Sequence, residues 1–371
     1  MKFQDIPGQS DVKTALIQSV QRNKMAHAQL FAGVEGGAAL PLALAYAAYI
    51  FCANLTADDS CGTCANCTRI HKGIHPDFHL FFPKITVSKE SEFEKKLPEF
   101  MQSFRKFIQE RPFGLIDDFT EVAGFESKGI LINKEDSKRL IRTVSMKSVE
   151  GGPKVILIWL PEFFNPTAAN AILKVLEEPP ANTIYLMVTH AYHSLLSTII
   201  SRTLLYSIPP FTDKEVADYV EKTGAPPEKA KAVARLAHGS IGEALTLGDD
   251  GDNLAYQDFQ QWMRECLNNQ FGALVTRSEQ FSQSGKLAQR SALQFALDIL
   301  REALVSGEPA LNNRTGQEAE FMRKFNQFLS LENKHKLYEE LNEALLNLDR
   351  NANPKMTHFH LSTTFSRLLV R

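Results

Sequence analysis

The sequence predicts an α/β fold on a parallel sheet, followed by a small helical domain and a longer all-helical one. Three observations carry this. Lys154–Trp159 is an apolar run rich in β-branched residues, the pattern of a strand buried on both faces. Asn165-Pro166-Thr167 then supplies a capping side chain and a proline at the first helical position. Ile172, Leu173 and Leu176 recur at helical spacing until Pro179-Pro180 ends that helix, and a second apolar run, Thr183–Thr189, completes a strand–helix–strand unit. Its crossover is expected to be right-handed. The third observation is that the pattern is helical throughout from Asp252 onward.

The chain has 371 residues, 44% hydrophobic and 23% charged, with a net charge of −2. That balance suits two or three soluble domains that need no disulfide staples. A free-standing nucleic-acid binder would be basic, so any DNA contact is expected to be local or shared with partners. The start, Met1-Lys2-Phe3-Gln4-Asp5, lacks the apolar run of a signal peptide. The longest apolar stretch, Ala38–Ala53, is too short to span a bilayer. No membrane partner and a cytoplasmic location are therefore expected.

In chain order, Ser10–Gln21 reads as an amphipathic helix, and His27–Gly33 as a strand entering a glycine-rich turn, Gly33-Val34-Glu35-Gly36-Gly37-Ala38-Ala39-Leu40. Strand, glycine turn and helix N-terminus are the layout of a phosphate-binding loop. A working loop ends in Lys and Ser/Thr, which neutralise the outer phosphates and ligate Mg²⁺. Ala38, Ala39 and Leu40 can do neither, although backbone amides alone can still attract an anion. Residues alone also allow a plain glycine turn between strand and helix.

Four of the five cysteines follow as Cys52-x8-Cys61-x2-Cys64-x2-Cys67. Four thiolates in one short loop can fill a tetrahedral shell around structural Zn²⁺ and leave no open position for catalysis. Disulfides are disfavoured in a cytoplasmic chain. An iron–sulfur cluster is a further rival, but the Cys-Pro ending of the bacterial ferredoxin pattern is missing. His71 and His75 read as loop residues rather than ligands, and Cys266 as a buried small hydrophobe.

The stretch Ala168–Lys174 before Leu176-Glu177-Glu178-Pro179-Pro180, the triplet Ser201-Arg202-Thr203 and the cysteine module together resemble the clamp-loader branch of the AAA+ ATPases. The resemblance covers most of residues 1–250 and the rest more weakly. It implies an AAA+ P-loop-type domain at 1–208 with a zinc module at 52–67, a helical lid at 209–250 and a helical collar at 251–371. It places Trp159 and Leu160 where active members carry the Asp-Glu pair. Gly242 falls where they carry a lid Arg that touches nucleotide, and Thr189 at a polar sensor position that here reads as a strand end. No ATP is then expected in the chain's own site. Arg202 matches an arginine finger that acts in trans on a neighbour's ATP; read alone, it is a solvated charge at a helix end. The implied partners are gamma/tau ATPase subunits and the delta subunit, with the sliding clamp and primer–template DNA reached through the complex.

The segment at about 84–129 exceeds what the family usually carries here. Phe93, Leu97, Phe100, Phe104 and Phe107 lie on one helical face, which either packs on its own domain or docks another replication subunit. Asp136–Val144 reads as a helix, Tyr206–Phe211 as a linker, and Thr212 with Glu215 as a capping box opening two or three short helices. Two leucine faces, Leu293/Leu297/Leu300/Leu304 and Leu337/Leu341/Leu345/Leu348, read as a bundle core. Three functions compete: a non-hydrolysing scaffold, an ATPase motor and a zinc-containing DNA-binding adaptor. The four replaced catalytic positions weigh against the motor and the near-neutral charge against the adaptor.

Overall fold

The computed structural model describes residues 1–87, 90–125, 129–247, 251–305, 324–325, 329–349 and 352–369. The chain divides into two units, Met1–Leu247 and Gly248–Arg371.

In the first unit the strands are β1 (Ala28–Ala32), β2 (Phe78–Phe81), β3 (Lys84–Ile85), β4 (Ile130–Leu131), β5 (Lys154–Trp159), β6 (Thr183–Thr189) and β7 (Leu204–Ser207). Its helices are α1 (Ser10–Gln21), α2 (Ala39–Phe51), α3 (Ala65–His71), α4 (Glu90–Glu110), α5 (Ile116–Val122), α6 (Lys134–Ser145), α7 (Pro166–Glu177), α8 (Ser197–Ile200), α9 (Asp213–Lys222), α10 (Pro227–Leu236) and α11 (Ile241–Thr246). The main sheet has the order β2-β5-β6-β1-β7, and every pair in it is parallel.

Alternation along the strands decides the layers. Val155, Leu157 and Trp159 enter one core together with Leu186, Val188, α2 and α4. Ile156 and Ile158 enter the other with Tyr185, Met187 and the apolar faces of α6 and α7. Helix α2 reads ALPLALAYAAYIF and is buried nearly all round, as a helix apolar on every face must be. Helix α7 starts as its sequence demands, with the Asn165 side chain accepting from Ala168 N at 2.7 Å.

The 84–129 segment is closed at its base by β3 and β4, which pair antiparallel with Lys84 opposite Leu131. Lys84 is fully buried and ion-pairs with Asp136, whose carboxylate also accepts from Asn133 N at 3.2 Å in the capping box of α6. Burial lowers the Lys84 pKa and Asp136 partly restores it. Phe93, Phe100, Phe104 and Phe107 are buried in the unit's own core, with Leu97 packed beside them. The docking-face reading of this stripe is thus corrected: a face already covered by its own domain has nothing left to offer a partner.

Two smaller expectations also change. Tyr206 and Ser207, read as linker, are the last residues of edge strand β7, held by register with Phe31 and Ala32. His71, read as a loop residue, ends α3, and its Nε2 lies 3.1 Å from Met1 O. The capping box at Thr212 forms, with Glu215 N donating to Thr212 Oγ1 at 3.3 Å, and α9, α10 and α11 follow.

The second unit is helical over its described residues: Gly251–Leu267, Phe271–Gln283, Lys286–Val305, Leu331–Asp349 and Pro354–Leu369. Leu293, Leu297, Leu300, Leu337, Leu341 and Leu348 are buried, as is Cys266, whose thiol burial pushes up to about 12. Trp262 stacks on Phe365 and His358 and donates to Ser362 Oγ at 2.9 Å. No helix among the described residues is long and apolar enough to cross a membrane.

Candidate functional site

The glycine turn joins β1 to α2 at the C-terminal end of the parallel sheet. Gly36 holds φ 68°, a left-handed conformation that favours glycine. Gly33 N donates to Thr189 O at 3.2 Å, and Gly37 N closes onto Val34 O at 3.1 Å. Ala38, Ala39 and Leu40, which follow the turn into α2, are 2%, 0% and 3% exposed.

The turn is covered by two other stretches of the same unit. From the tail of the 84–129 segment, Ile116 N donates to Glu35 Oε1 at 2.8 Å. From the start of α11, Gly242 N donates to Gly36 O at 3.0 Å. A methyl added to Gly36 would sit 2.3 Å from Ser240 Oγ and 2.8 Å from a Leu115 methyl carbon. One added to Gly242 would sit 2.1 Å from Phe113 O. Two other segments thus engage the turn through the Glu35 carboxylate and the Gly36 carbonyl.

At the end of β5, Trp159 is wholly buried, with its ring centroid 5.4, 5.2 and 5.6 Å from those of Phe104, Phe107 and Phe119. Leu160 beside it has φ 58°, a conformation that costs a residue with a Cβ about 1–2 kcal/mol. Its amide is nevertheless bonded to Val188 O at 2.8 Å. Neither residue brings a carboxylate to the cleft. Thr189 ends β6 and uses its hydroxyl to accept from Ala191 N at 3.1 Å, a local turn contact.

Arg202 follows the single turn of α8 and precedes β7. One guanidinium nitrogen donates to Thr198 O at 2.9 Å, and another pairs with Glu177, the first glutamate of the Glu-Glu-Pro-Pro run ending α7. The Arg202 side chain remains 31% exposed, so it lies on the rim. The sequence offered no sign of the Glu177 partnership, because 25 residues separate the two. It equally missed the role of Phe113 and Leu115; the abundance of phenylalanines in 93–125 beside a blank loop was the available clue.

The four cysteine sulfurs converge within 4.8 Å of one another, with no disulfide among them. Cys61 and Cys67 sulfurs lie 3.9 Å apart, matching the edge of about 3.8 Å expected of a tetrahedron with Zn–S bonds near 2.3 Å. Backbone amides of Cys61, Cys64 and Cys67 donate to the sulfurs of Cys52, Cys61 and Cys64 at 3.3, 3.3 and 3.4 Å. The Cys64 amide, with that of Thr63, brings the Cys61 thiol down to about 6, whereas burial pushes Cys52 and Cys67 up. Four thiolates so close need a cation to stay ionised together, and the set fits structural Zn²⁺ with every position filled by protein. His71 and His75 stand outside the cluster; His75 packs on Phe51 and lies 3.3 Å from Glu150.

A sequence family described as "DNA polymerase III, delta subunit" matches residues 8–212. Over 239 residues the chain is 27% identical to DNA polymerase III subunit delta' of Bacillus subtilis, a match spanning 64% of this chain and 59% of that protein. It is 29% identical over 225 residues to the subunit delta' of Pseudomonas aeruginosa, covering 61% and 56%. It is also 27% identical over 278 residues to the subunit tau/gamma of Haemophilus influenzae, covering 73% of this chain but 33% of that protein. The matches thus span less than two thirds of each relative's length.

Proposed function

Since the chain belongs to the DNA polymerase III delta subunit family, we propose that it is a delta-prime-type scaffold subunit of a bacterial clamp loader, which hydrolyses no ATP itself. The carrying observation is the contrast at the glycine turn. The backbone of a phosphate loop is kept, while Ala39, Leu40, Trp159 and Leu160 stand, buried, where its chemistry would be. In this reading Arg202 acts as a finger in trans: its guanidinium, half-solvated on the rim, stabilises charge on the γ-phosphate bound by a neighbouring ATPase subunit. The partners are gamma/tau-type ATPases and a delta subunit, with the sliding clamp and primer–template DNA engaged through the assembly in the bacterial cytoplasm. Residues 1–208, 209–250 and 251–371 then act as AAA+ domain, lid and collar. The Zn²⁺ held by Cys52, Cys61, Cys64 and Cys67 is structural and takes no part in hydrolysis.

The similarity to tau/gamma keeps a second reading, an active ATPase subunit. It requires Mg²⁺ and a phosphate-binding lysine where the chain has only apolar side chains. Mixing the chain with gamma- and delta-type subunits and clamp, then measuring mass and hydrolysis together, decides. The scaffold reading expects a stable complex whose ATP turnover depends on this chain, while the chain alone hydrolyses nothing. Turnover by the isolated chain would favour the motor.

A further inference from the structure

We infer that the 84–129 insertion is an internal occupant of the cleft over the glycine turn, and that it locks helices α9–α11 onto the α/β layer without any ligand. The inference rests on the reading above only in treating the turn as a vacated nucleotide site; the contacts stand without it.

The occupant has a body and a tail. The body is the aromatic nest in which Phe104, Phe107 and Phe119 surround Trp159 at the end of β5, the place a metal ion and its water would need. The tail, 111–116, runs from there between the glycine turn and α9–α11. Its geometry is held locally: Leu115 N donates to Asp118 Oδ2 at 2.8 Å, and Arg111 pairs with Asp118 at 2.7 Å and Glu121 at 3.1 Å. Toward the turn, Leu115 covers Gly36 and Ile116 N reaches Glu35. Toward the helices, the Phe113 ring meets Phe211 at 5.9 Å and Tyr219 of α9 at 5.1 Å, both edge-on. The lock closes where Gly242 N donates to Gly36 O. Both glycines are required by this approach, since a methyl on either would strike the other segments.

The consequence is mechanical. A ligand that bridged the turn and α11 would come and go, and the helices would move with it. Apolar packing within one chain does not dissociate, so α9–α11 keep one position whatever nucleotide is present. A phosphate approaching Gly36 would meet Leu115 and Ser240 and would have to part the Gly242–Gly36 bond.

Gly242→Ala tests this directly. Gly242 lies in α11 without a positive φ, so alanine suits its helix, and only the approach to Phe113 and Gly36 is spoiled. Hydrogen exchange on the full chain should show α9–α11 amides exchanging about tenfold faster or more, with β5 and β6 unchanged. Leu115→Ala, which adds no clash, should loosen the same amides and serves if the first variant does not fold. Wild-type exchange should be the same with and without millimolar Mg·ATP. Unchanged α9–α11 exchange in the folded variants, or protection of 33–40 by Mg·ATP in the wild type, overturns the lock. Loosened helices together with ATP turnover by the gamma- and delta-type subunits that is the same with and without this chain would keep the lock and sink the scaffold reading instead.

Discussion

Arg202 and Glu177 are joined by an ion pair between the end of α7 and the start of β7, and both side chains reach solvent. The pair fixes the direction of the guanidinium while its exposure leaves it free to change partner. An exposed pair is worth only about 0–1 kcal/mol, so a more highly charged anion can outcompete it.

Replacing Arg202 by Ala is therefore expected to spare folding and assembly. Hydrolysis at the neighbouring site it serves should fall by a factor of about 10² or more. Lysine should not rescue it, because an ammonium lacks the planar fork. Glu177→Gln should change turnover by less than about threefold. Single-turnover hydrolysis by the reconstituted complex reads all three, and full activity in Arg202→Ala removes the finger assignment.

The cysteine centre should hold about one Zn²⁺ per chain, measurable by elemental analysis of the purified protein. Cys64 caps α3, so Cys64→Ser or exhaustive chelation should loosen residues 52–71 and lower thermal stability. Because the shell is filled by protein, the metal should bind no inhibitor anion. A zinc-free protein with an unchanged melting curve would contradict the structural role.

Restoring the acids should fail. Trp159→Asp with Leu160→Glu puts carboxylates into an aromatic nest with no polar partner, which should cost at least about 3 kcal/mol. No Mg²⁺-dependent ATP binding should appear in that variant, even with Leu40→Thr and Ala39→Lys added. Tight binding of labelled ATP to any of these proteins would show that residue identity, and not the covering of the cleft, had kept nucleotide out.

Acid should weaken both units through histidines whose pKa folding lowers. Burial, with Arg277 nearby, brings His358 down to about 3, while Glu265 pulls the other way. In the first unit His79 and His190 are brought down to about 4, again mainly by burial. Between those values and the ordinary 6.5 the unfolded chain binds the extra proton. Stability is thus full above pH 6.5 and falls as pH drops, by up to about 1.4 kcal/mol per unit for each histidine. The loss levels off below the folded values. Urea midpoints from pH 7.5 to 4.5 should move down accordingly, and His358→Gln should flatten the contribution of the C-terminal unit. A pH-independent midpoint would mean that His358 is not held neutral.

Periodicity and punctuation in the sequence were enough for the local elements. Lys154–Trp159 and Thr183–Thr189 are the strands that their apolar runs specify, and Asn165 and Thr212 cap the helices they precede. The cysteine spacing announced the metal centre, since neighbours in so short a loop have few other ways to meet. Ala39, Leu40, Trp159 and Leu160 tell by identity alone that those positions hold no lysine, hydroxyl or carboxylate. What the chain alone left undecided involved pairs far apart in it: which way the phenylalanine face of α4 points, that Phe113 and Leu115 fill the cleft, that Gly242 closes on Gly36, and that Glu177 holds Arg202. An amphipathic stripe specifies that something apolar will cover it but not what, and an empty-looking loop does not say what has moved in. Those choices are made only when the sheet brings the ends of β1, β5 and β6 together and the insertion packs its aromatic face against them.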